Sequence, residues 1–363
     1  MEFTISGQLE VRISPDDVGK RVSVRSLTGP DEPSATFTDT VGVLTSWTDG
    51  VLKITRRDGT GVSLQESAVV AGKTVPPPPD RRRGVPAAAV PELQEVAARG
   101  WPALETERLG EWTLRASPVT PHGADPVADQ PREGFTARGN SVLPLGSCGL
   151  DWETALREIV RWYAARGLPA KIQVTTEAGG GRPGATRTDE RLAAALADRG
   201  WTAERHAQMR TGALAPLADR EPDARVLLHR ELSPEWLSLY GRASDDSHST
   251  AARVLSGGPS VWFATVPRTG PEAAEADGPP AAIGRCVVDG RWAGFAAIEV
   301  APDQRRQGLA EAVMAELARH ALAEGASAGY LQVEPDNTAA TALYDGLGFT
   351  VHHLYHYRRA PRE

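Results

Sequence analysis

The chain has 363 residues, 40% of them hydrophobic and 24% charged, with 36 glycines, a composition that excludes both a disordered chain and a coiled coil. At roughly 100–200 residues per domain the length predicts two or three domains. Forty Lys and Arg against 47 Asp and Glu give a formal net charge of −7, which argues against nucleic acid as a partner of the surface as a whole.

Only four of the basic residues are lysines (Lys20, Lys53, Lys73 and Lys171), a bias that fits GC-rich coding better than a functional adaptation. Cys148 and Cys286 lie far apart with no CxxC spacing, so neither a disulfide framework nor a metal site is expected. No run of 18 apolar residues occurs, and the first residues lack a basic-then-apolar pattern. The expectation is a cytoplasmic protein without a membrane segment. Its oligomeric state is not encoded.

Residues 1–75 read as short alternating strands over 21–25, 41–44 and 51–54, with Asp49-Gly50 as a hairpin turn, Asp58-Gly59 as a second turn, and a late strand over 66–70. A small SH3-like or Tudor-like β-barrel is predicted. Its aromatic residues are Phe3, Phe37 and Trp47, too few for a recognition cage, so a docking role is favoured. Residues 76–84, Pro-Pro-Pro-Pro-Asp-Arg-Arg-Arg-Gly, have linker composition.

The segment 85–215 predicts a helix over 150–166, a strand over 170–176, a helix over 187–199, then Gly200-Trp201 and a strand to residue 210. The segment 225–363 predicts a helix capped by Ser233 with Pro234 at its first position, a strand over 260–266, and a loop over 267–280. A hairpin through Asp289-Gly290 follows, then a helix over 309–324, a strand over 330–333, a helix over 338–347, Gly348-Phe349 and a final strand to residue 358. The second half of this order echoes the first segment. Lys171-Ile172-Gln173-Val174 matches Tyr330-Leu331-Gln332-Val333, and Gly200-Trp201 matches Gly348-Phe349. The glycine-rich 179–184 loop accounts for the extra length of the earlier copy, and a duplicated domain is expected.

Chemistry concentrates at Val300-Ala301-Pro302-Asp303-Gln304-Arg305-Arg306-Gln307-Gly308-Leu309-Ala310. A strand, a basic loop, a glycine and a helix start form an anion site, because free N–H groups of the first turn converge there and the helix dipole favours negative charge. Gly308 admits a pyrophosphate where a Cβ would intrude, and Ala310 is small for the same reason. A second block reads Glu334-Pro335-Asp336-Asn337, then Ala340, then Leu343-Tyr344-x-x-x-Gly348-Phe349.

These two blocks resemble the Gcn5-related N-acetyltransferase (GNAT) superfamily, whose acetyl-CoA loop reads Q/R-x-x-G-x-G/A and stands here as Arg305-x-x-Gly308-x-Ala310. The resemblance covers about 130 residues, from Val226 onward. The cofactor half is most similar to the ribosomal-protein N-terminal alanine acetyltransferases. The whole is similar to actinobacterial tandem-GNAT chains with an N-terminal barrel. The fold implied is a mixed α/β tandem GNAT preceded by a small SH3-like β-barrel, with a degenerate copy at 85–215 and a catalytic one at 225–363. The earlier copy has neither the basic loop nor the Gly-x-Ala step in its matching region, 140–149, so it is expected to have lost acyl-CoA binding and to pack against the cleft of the active copy or shape it.

The resemblance implies acetyl transfer from acetyl-CoA to a primary amine, of a protein, a peptide or a cationic small molecule, by direct attack in a ternary complex. It gives acetyl-CoA as acyl donor, with no metal. Main-chain groups of Ile298, Glu299 and Val300 would hold the pantetheine and thioester, the amides of Arg305, Arg306, Gln307, Gly308, Leu309 and Ala310 the pyrophosphate, and Asn337 the CoA arm. Tyr344 would protonate the leaving thiolate; its alternative is a packing role at the helix–strand junction. Where the alanine acetyltransferases carry a base glutamate on the fifth strand, this chain has Gln332. The remaining candidate bases are Glu299, Glu334 and the histidines His352, His353 and His356, and Glu299 is taken as the base. Asp245-Asp246-Ser247-His248 could read a cationic acceptor. The other function class that the residues allow is an acyl-CoA-binding regulatory module without turnover, for which Gln332 speaks.

Overall fold

In the computed structural model the described residues are 11–28, 36–56, 60–75, 84–119, 133–176, 189–243, 245–268 and 278–361. Most of the 76–84 linker, the Asp58-Gly59 turn, Phe3, the 179–184 loop and most of the 267–280 loop lie outside them. Two compact units are formed, residues 1–80 with 322–325, and residues 81–321 with 326–363.

The first unit contains β1 (Arg21–Thr28), β2 (Thr36–Thr48), β3 (Val51–Thr55), β4 (Gly61–Gln65) and β5 (Val69–Thr74), in one antiparallel sheet of order β4-β3-β2-β1-β5. Asp49 and Gly50 both have positive φ, 52° and 72°, as a two-residue turn matching the right-handed strand twist requires. Val22, Val24, Leu44, Leu52 and Ile54 are fully buried and share a core with Ile13. Register shifts at Arg25/Ser26 and Leu44/Ser46 mark irregular points in β1 and β2, where bulges bend strands.

The second unit opens with α1 (Val90–Gly100), the hairpin β6 (Glu105–Leu109) and β7 (Trp112–Ala116), α2 (Trp152–Ala164), β8 (Lys171–Thr176), α3 (Glu190–Ala197), β9 (Thr202–Ala213) and α4 (Leu214–Ala218). It continues with β10 (Leu227–His229), α5 (Pro234–Leu239), α6 (His248–Ser256), β11 (Val261–Val266), β12 (Ala282–Asp289) and β13 (Trp292–Val300). Last come α7 (Leu309–Ala323), β14 (Ala328–Val333), α8 (Thr338–Gly346) and β15 (Thr350–Arg359). Local signals explain the starts. Asp151 accepts from the Thr154 amide at α2, and Ser233 from the Trp236 amide at α5, where Pro234 takes the first position.

The segments 85–215 and 225–363 share a single eight-stranded sheet, β10-β11-β12-β13-β14-β9-β15-β8. The duplication is visible in its register. Gln332 on β14 pairs with Met209 on β9, while Gln173 on β8 pairs with Tyr357 on β15. Gln332 follows Gln173 by 159 positions and Tyr357 follows Met209 by 148, the two spacings of the sequence repeat. Both α3 and α8 end in the same cap: Gly200 and Gly348 have φ of 77° and 80°, and the amides of Trp201 and Phe349 donate to Leu196 and Tyr344 carbonyls five residues back, at 3.0 and 2.9 Å. These are Schellman turns, which need a residue free to go left-handed. They drive Trp201 and Phe349 into the core.

The terminal strands are exchanged. β9, from the earlier copy, pairs with β14 of the later one, and β15 pairs with β8 of the earlier one, while β9 and β15 pair antiparallel at the centre. Without β9, β14 and β15 would each lose a row of main-chain hydrogen bonds. Among the described residues no helix is long and apolar enough to cross a membrane.

Residues 226–363 produced alone should therefore show no cooperative thermal transition by circular dichroism, and co-expression with residues 84–225 should recover a 1:1 complex that melts as one. A monomeric 226–363 fragment with a sharp transition would contradict the exchange.

Candidate active site

β13 and β14 run parallel, but pairing covers only Trp292↔Ala328 to Phe295↔Leu331. Beyond Phe295 the two strands have no mutual pairing, although β13 continues to Val300 and β14 to Val333. On its other side β13 carries one extra residue: Ile283 faces Glu299 and Arg285 faces Ala296. The bulge contains Ala297, held left-handed at φ 51°, a conformation rare for a residue with a Cβ. The backbone from Ala296 onward thus faces an opening, with polar groups that β14 does not claim.

A cleft of about 320 Å³ occupies this opening. Its walls include Phe295 to Glu299 of β13, Gln332 to Glu334 of β14, and Asn337, Ala340 and Tyr344 of α8. The remainder comes from Tyr240 and Arg242 between α5 and α6, from Tyr355 and Tyr357 of β15, and from Thr136, Ala137, Arg138, Arg205 and Ala207 of the earlier copy. The volume suits a small-molecule site.

The structure brings Ile298, Glu299, Asn337 and Tyr344 together in the cleft and leaves Val300, whose pairing partner is Ala282, outside its lining. Glu299 is half-buried, with its Oε2 accepting from the Gly241 amide at 3.0 Å. Burial pushes its carboxyl above the usual range, opposed by the Gly241 N–H and the nearby Arg242. It is therefore not the solvent-facing strand charge that a bare sequence permits. Glu334 also lines the cleft but pairs with Arg242 at 3.7 Å. Tyr344 is buried, and desolvation pushes its hydroxyl up to about 12 against the pull of Arg210. Asn337 caps α8, its Oδ1 accepting from the Ala340 amide at 3.1 Å.

The histidine candidates stand elsewhere. His353 is buried with Nε2 2.6 Å from Gln94 Nε2, and desolvation with the neighbouring His352 lowers it to about 3. His356 stacks on His206 with ring centroids 5.2 Å apart and is lowered to about 4, first by burial and then by Arg358 and His206. None of the three is among the residues lining the cleft. Of the 245–248 segment, expected to read a cationic acceptor, Asp246, Ser247 and His248 are not in the lining either.

Residues Arg305 to Ala310 connect β13 to α7 outside the cleft. Arg305, Arg306, Gln307 and Gly308 are exposed, whereas Leu309 is buried and serves the core. Arg306 and Gly308 are both left-handed, at φ 64° and 74°. A Cβ on Gly308 would meet nothing within 4 Å, so in this conformation glycine is required by φ rather than by crowding. A loop of this kind with a helix start behind it presents amides to an anion.

Sequence reasoning missed the tyrosines of β15. Tyr355 donates its hydroxyl to Gln332 Oε1 at 2.5 Å, so the glutamine standing where a base was sought is held by a buried phenol. The alternation of residues 355 and 357 on one strand face was the available signal. The left-handed residues at Thr136, Arg205 and Ala297 carried none. Among the described residues no group of three or more His, Cys, Asp or Glu is placed to hold a metal.

A parallel strand pair that opens over a bulge, followed by a basic loop and helix start, with its terminal strands exchanged between two copies, is the tandem GNAT fold, and the protein is a GNAT-family N-acetyltransferase. Residues 87–358 match the family described as "Probable histone acetyltransferase Rv0428c C-terminal", and the chain belongs to that family. It is 29% identical over 349 residues to the probable histone acetyltransferase Rv0428c of Mycobacterium tuberculosis, covering 95% of this chain and 96% of that protein. It is 26% identical over 281 residues to the uncharacterized N-acetyltransferase YobR of Bacillus subtilis, covering 74% and 97% respectively. A solved GCN5-related N-acetyltransferase from Kribbella flavida superposes with a TM-score of 0.49 at 17% identity, over 76% of this chain and 98% of that one.

The Glu299 environment has a measurable consequence. Since burial raises its folded-state pKa above the ordinary 4.5, its contribution to stability is full below pH 4.5 and is lost as pH rises through the folded value. Glu299→Gln should therefore melt higher than the wild type at pH 7–8, by about 1–2 °C once partial exposure is discounted. The difference should vanish below pH 4.5. Scanning calorimetry across pH checks this, and a gain that persists at pH 4 would contradict it.

Proposed function

We propose that the protein transfers an acetyl group from acetyl-CoA to a primary amine, of a small molecule, a peptide or a protein, in the cytoplasm and by direct attack in a ternary complex. The observation that carries this reading is the opening of β13 from β14 over the Ala297 bulge, continued by the left-handed loop at Arg306 and Gly308 into α7. An extended acyl thioester fits that path. The main chain of Ile298 to Val300 takes its amide-bearing arm and the amides of Arg305 to Ala310 take its pyrophosphate. Asn337 contributes at the mouth of α8. When bound, acetyl-CoA supplies an activated acyl carbon with a thiolate leaving group.

The chain's own residues supply binding and proton transfer. Glu299 accepts the proton that the acceptor amine must lose before its lone pair can form the new N–C bond. Its raised pKa brings it closer to the operating pH than an ordinary carboxylate. A main-chain N–H at the Ala297 bulge stabilises the charge developing on the carbonyl oxygen. Tyr344 hands its proton to sulfur as the C–S bond breaks. A hydroxyl at about 12 is fully protonated at neutral pH and therefore available to donate.

Thiol release from acetyl-CoA, measured against a panel of amines, tests the activity. Absence of turnover with every amine while acetyl-CoA still binds would overturn it in favour of a binding module. Glu299→Gln should lower kcat by about 10²–10³-fold and Tyr344→Phe by about tenfold or more. Gly308→Glu, which forces a side chain into a left-handed position and adds a carboxylate at the loop, should abolish acetyl-CoA binding in calorimetry. Stoichiometric binding that persists in that variant would assign it to the earlier copy.

A further inference from the structure

One wall of the cleft is built by the earlier copy and carries two arginines, Arg138 and Arg205. Among the described residues, four of the five non-glycine positions with positive φ lie in the cleft or in the loop after β13: Thr136 (59°), Arg205 (50°), Ala297 (51°) and Arg306 (64°). Left-handed backbone is strained at a residue with a Cβ, and it persists where the surroundings over-determine it. Thr136, which is β-branched, is pinned on both sides. Its carbonyl accepts from Asn140 Nδ2 at 2.8 Å and its hydroxyl from Trp101 Nε1 at 3.0 Å. The turn that follows sets the Arg138 guanidinium 4.2 Å over the Trp101 ring, a cation–π contact that fixes its position. Arg205 reaches the same wall from a bulge in β9, opposite the register shift between Tyr355 and Tyr357.

Glu299, in the same cleft, accepts from the Gly241 amide, and the other nearby carboxylates are paired. Glu133 and Glu204 both pair with Lys171 and Arg359, and Glu334 pairs with Arg242. Among the described residues neither Arg138 nor Arg205 forms an ion pair.

We infer that Arg138 and Arg205 bind a carboxylate of the acceptor, and that the acceptor is a small amine bearing a carboxylate, an amino-acid-type substrate. This rests on the acetyltransferase reading above and narrows it. Planar guanidinium forks match a carboxylate in bidentate geometry. An unneutralised pair of them repels an acceptor with further positive charge, such as a lysine set among basic residues. The cationic acceptor that the acidic 245–248 segment suggested gives way to the local charge of the cleft.

Three matched pools test the inference: L-amino acids, their amides, and the corresponding decarboxylated amines, with a basic lysine peptide alongside. The wild type should acetylate the acid pool with kcat/KM about ten- to a hundredfold above the amide and amine pools. Arg138→Ala and Arg205→Ala should each collapse that preference, mainly through KM, and Arg138→Lys should restore part of it. Equal or better use of amides, amines or the lysine peptide by the wild type would overturn the proposal while leaving the acetyltransferase reading intact. A binding arm needs no turnover: N-acetyl-amino acids should raise the melting temperature of the full-length protein and their amides should not. If no pool is acetylated but this difference holds and is lost in Arg205→Ala, the transfer reading fails and the carboxylate site stands. If N-acetyl-amino acids and their amides shift melting alike, or neither does, the proposal is overturned.

Discussion

The antiparallel pairing of β9 with β15 is the constraint on which the rest of the second unit depends. It places each copy's last strand in the other copy's half of the sheet, so β14 has β9 as its neighbour and β8 has β15. Main-chain donors and acceptors in the middle of a sheet must be paired, and here the partners come from some 120 residues away or more. The cleft inherits this arrangement directly. Arg205 and Ala207 reach it because β9 lies beside β14, and Tyr355 and Tyr357 reach it from the next strand over.

The same register carries over to the earlier copy. Val142 bridges Ile172, the counterpart of Leu331, as Phe295 pairs with Leu331 in the later copy: the Val142 amide donates to the Lys171 carbonyl and the Gln173 amide to the Val142 carbonyl, at 2.8 and 3.0 Å. Gln173, the counterpart of Gln332, accepts from the guanidinium of Arg115 at 2.9 Å. Arg115 is buried and also donates to the Ser141 carbonyl and hydroxyl. Gln173 in turn donates to Gln94, which contacts His353. A charge at that depth is tolerated because its donors are matched by oxygen acceptors.

Much of this was legible in the sequence, for physical reasons that also mark where legibility stops. Gly-aromatic pairs after a helix specify a left-handed cap wherever they occur, so Gly200-Trp201 and Gly348-Phe349 announced both the repeat and the ends of α3 and α8. Asp289-Gly290 specified a hairpin by the same local logic, and Ser233-Pro234 a helix start. The exchange of β9 and β15 was not legible. Alternation states that a strand has two faces, but it does not name the strand's neighbour. The Ala297 bulge was hidden because Ala-Ala-Ile-Glu fits a regular strand as well as a bulged one. Glu299 could be placed on its strand, but its half-burial depends on Gly241, 58 positions away. Thr136 was hidden most deeply, since a β-branched residue is the last that local preference would assign to positive φ.

That Thr136 adopts this conformation is itself informative about the order of causes. The contacts that hold it belong to a frame that is rigid for other reasons. Asn140 is buried and spans the Phe135 and Thr136 carbonyls while accepting from the Ser117 amide, and Gly134 is a glycine where any Cβ would lie 2.2 Å from Asn140 Oδ1. Trp101 stacks on Phe135 at 6.1 Å between centroids, and Phe135 meets Tyr240 edge-on at 6.4 Å. What the strained turn adds is the position of Arg138 on Trp101, at the wall of a cleft whose opposite side belongs to the other copy. The strain is thus borne by one copy and its consequence is felt in the site of the other. The later segment does not line the cleft alone: Thr136, Ala137, Arg138, Arg205 and Ala207 of the earlier segment complete its wall.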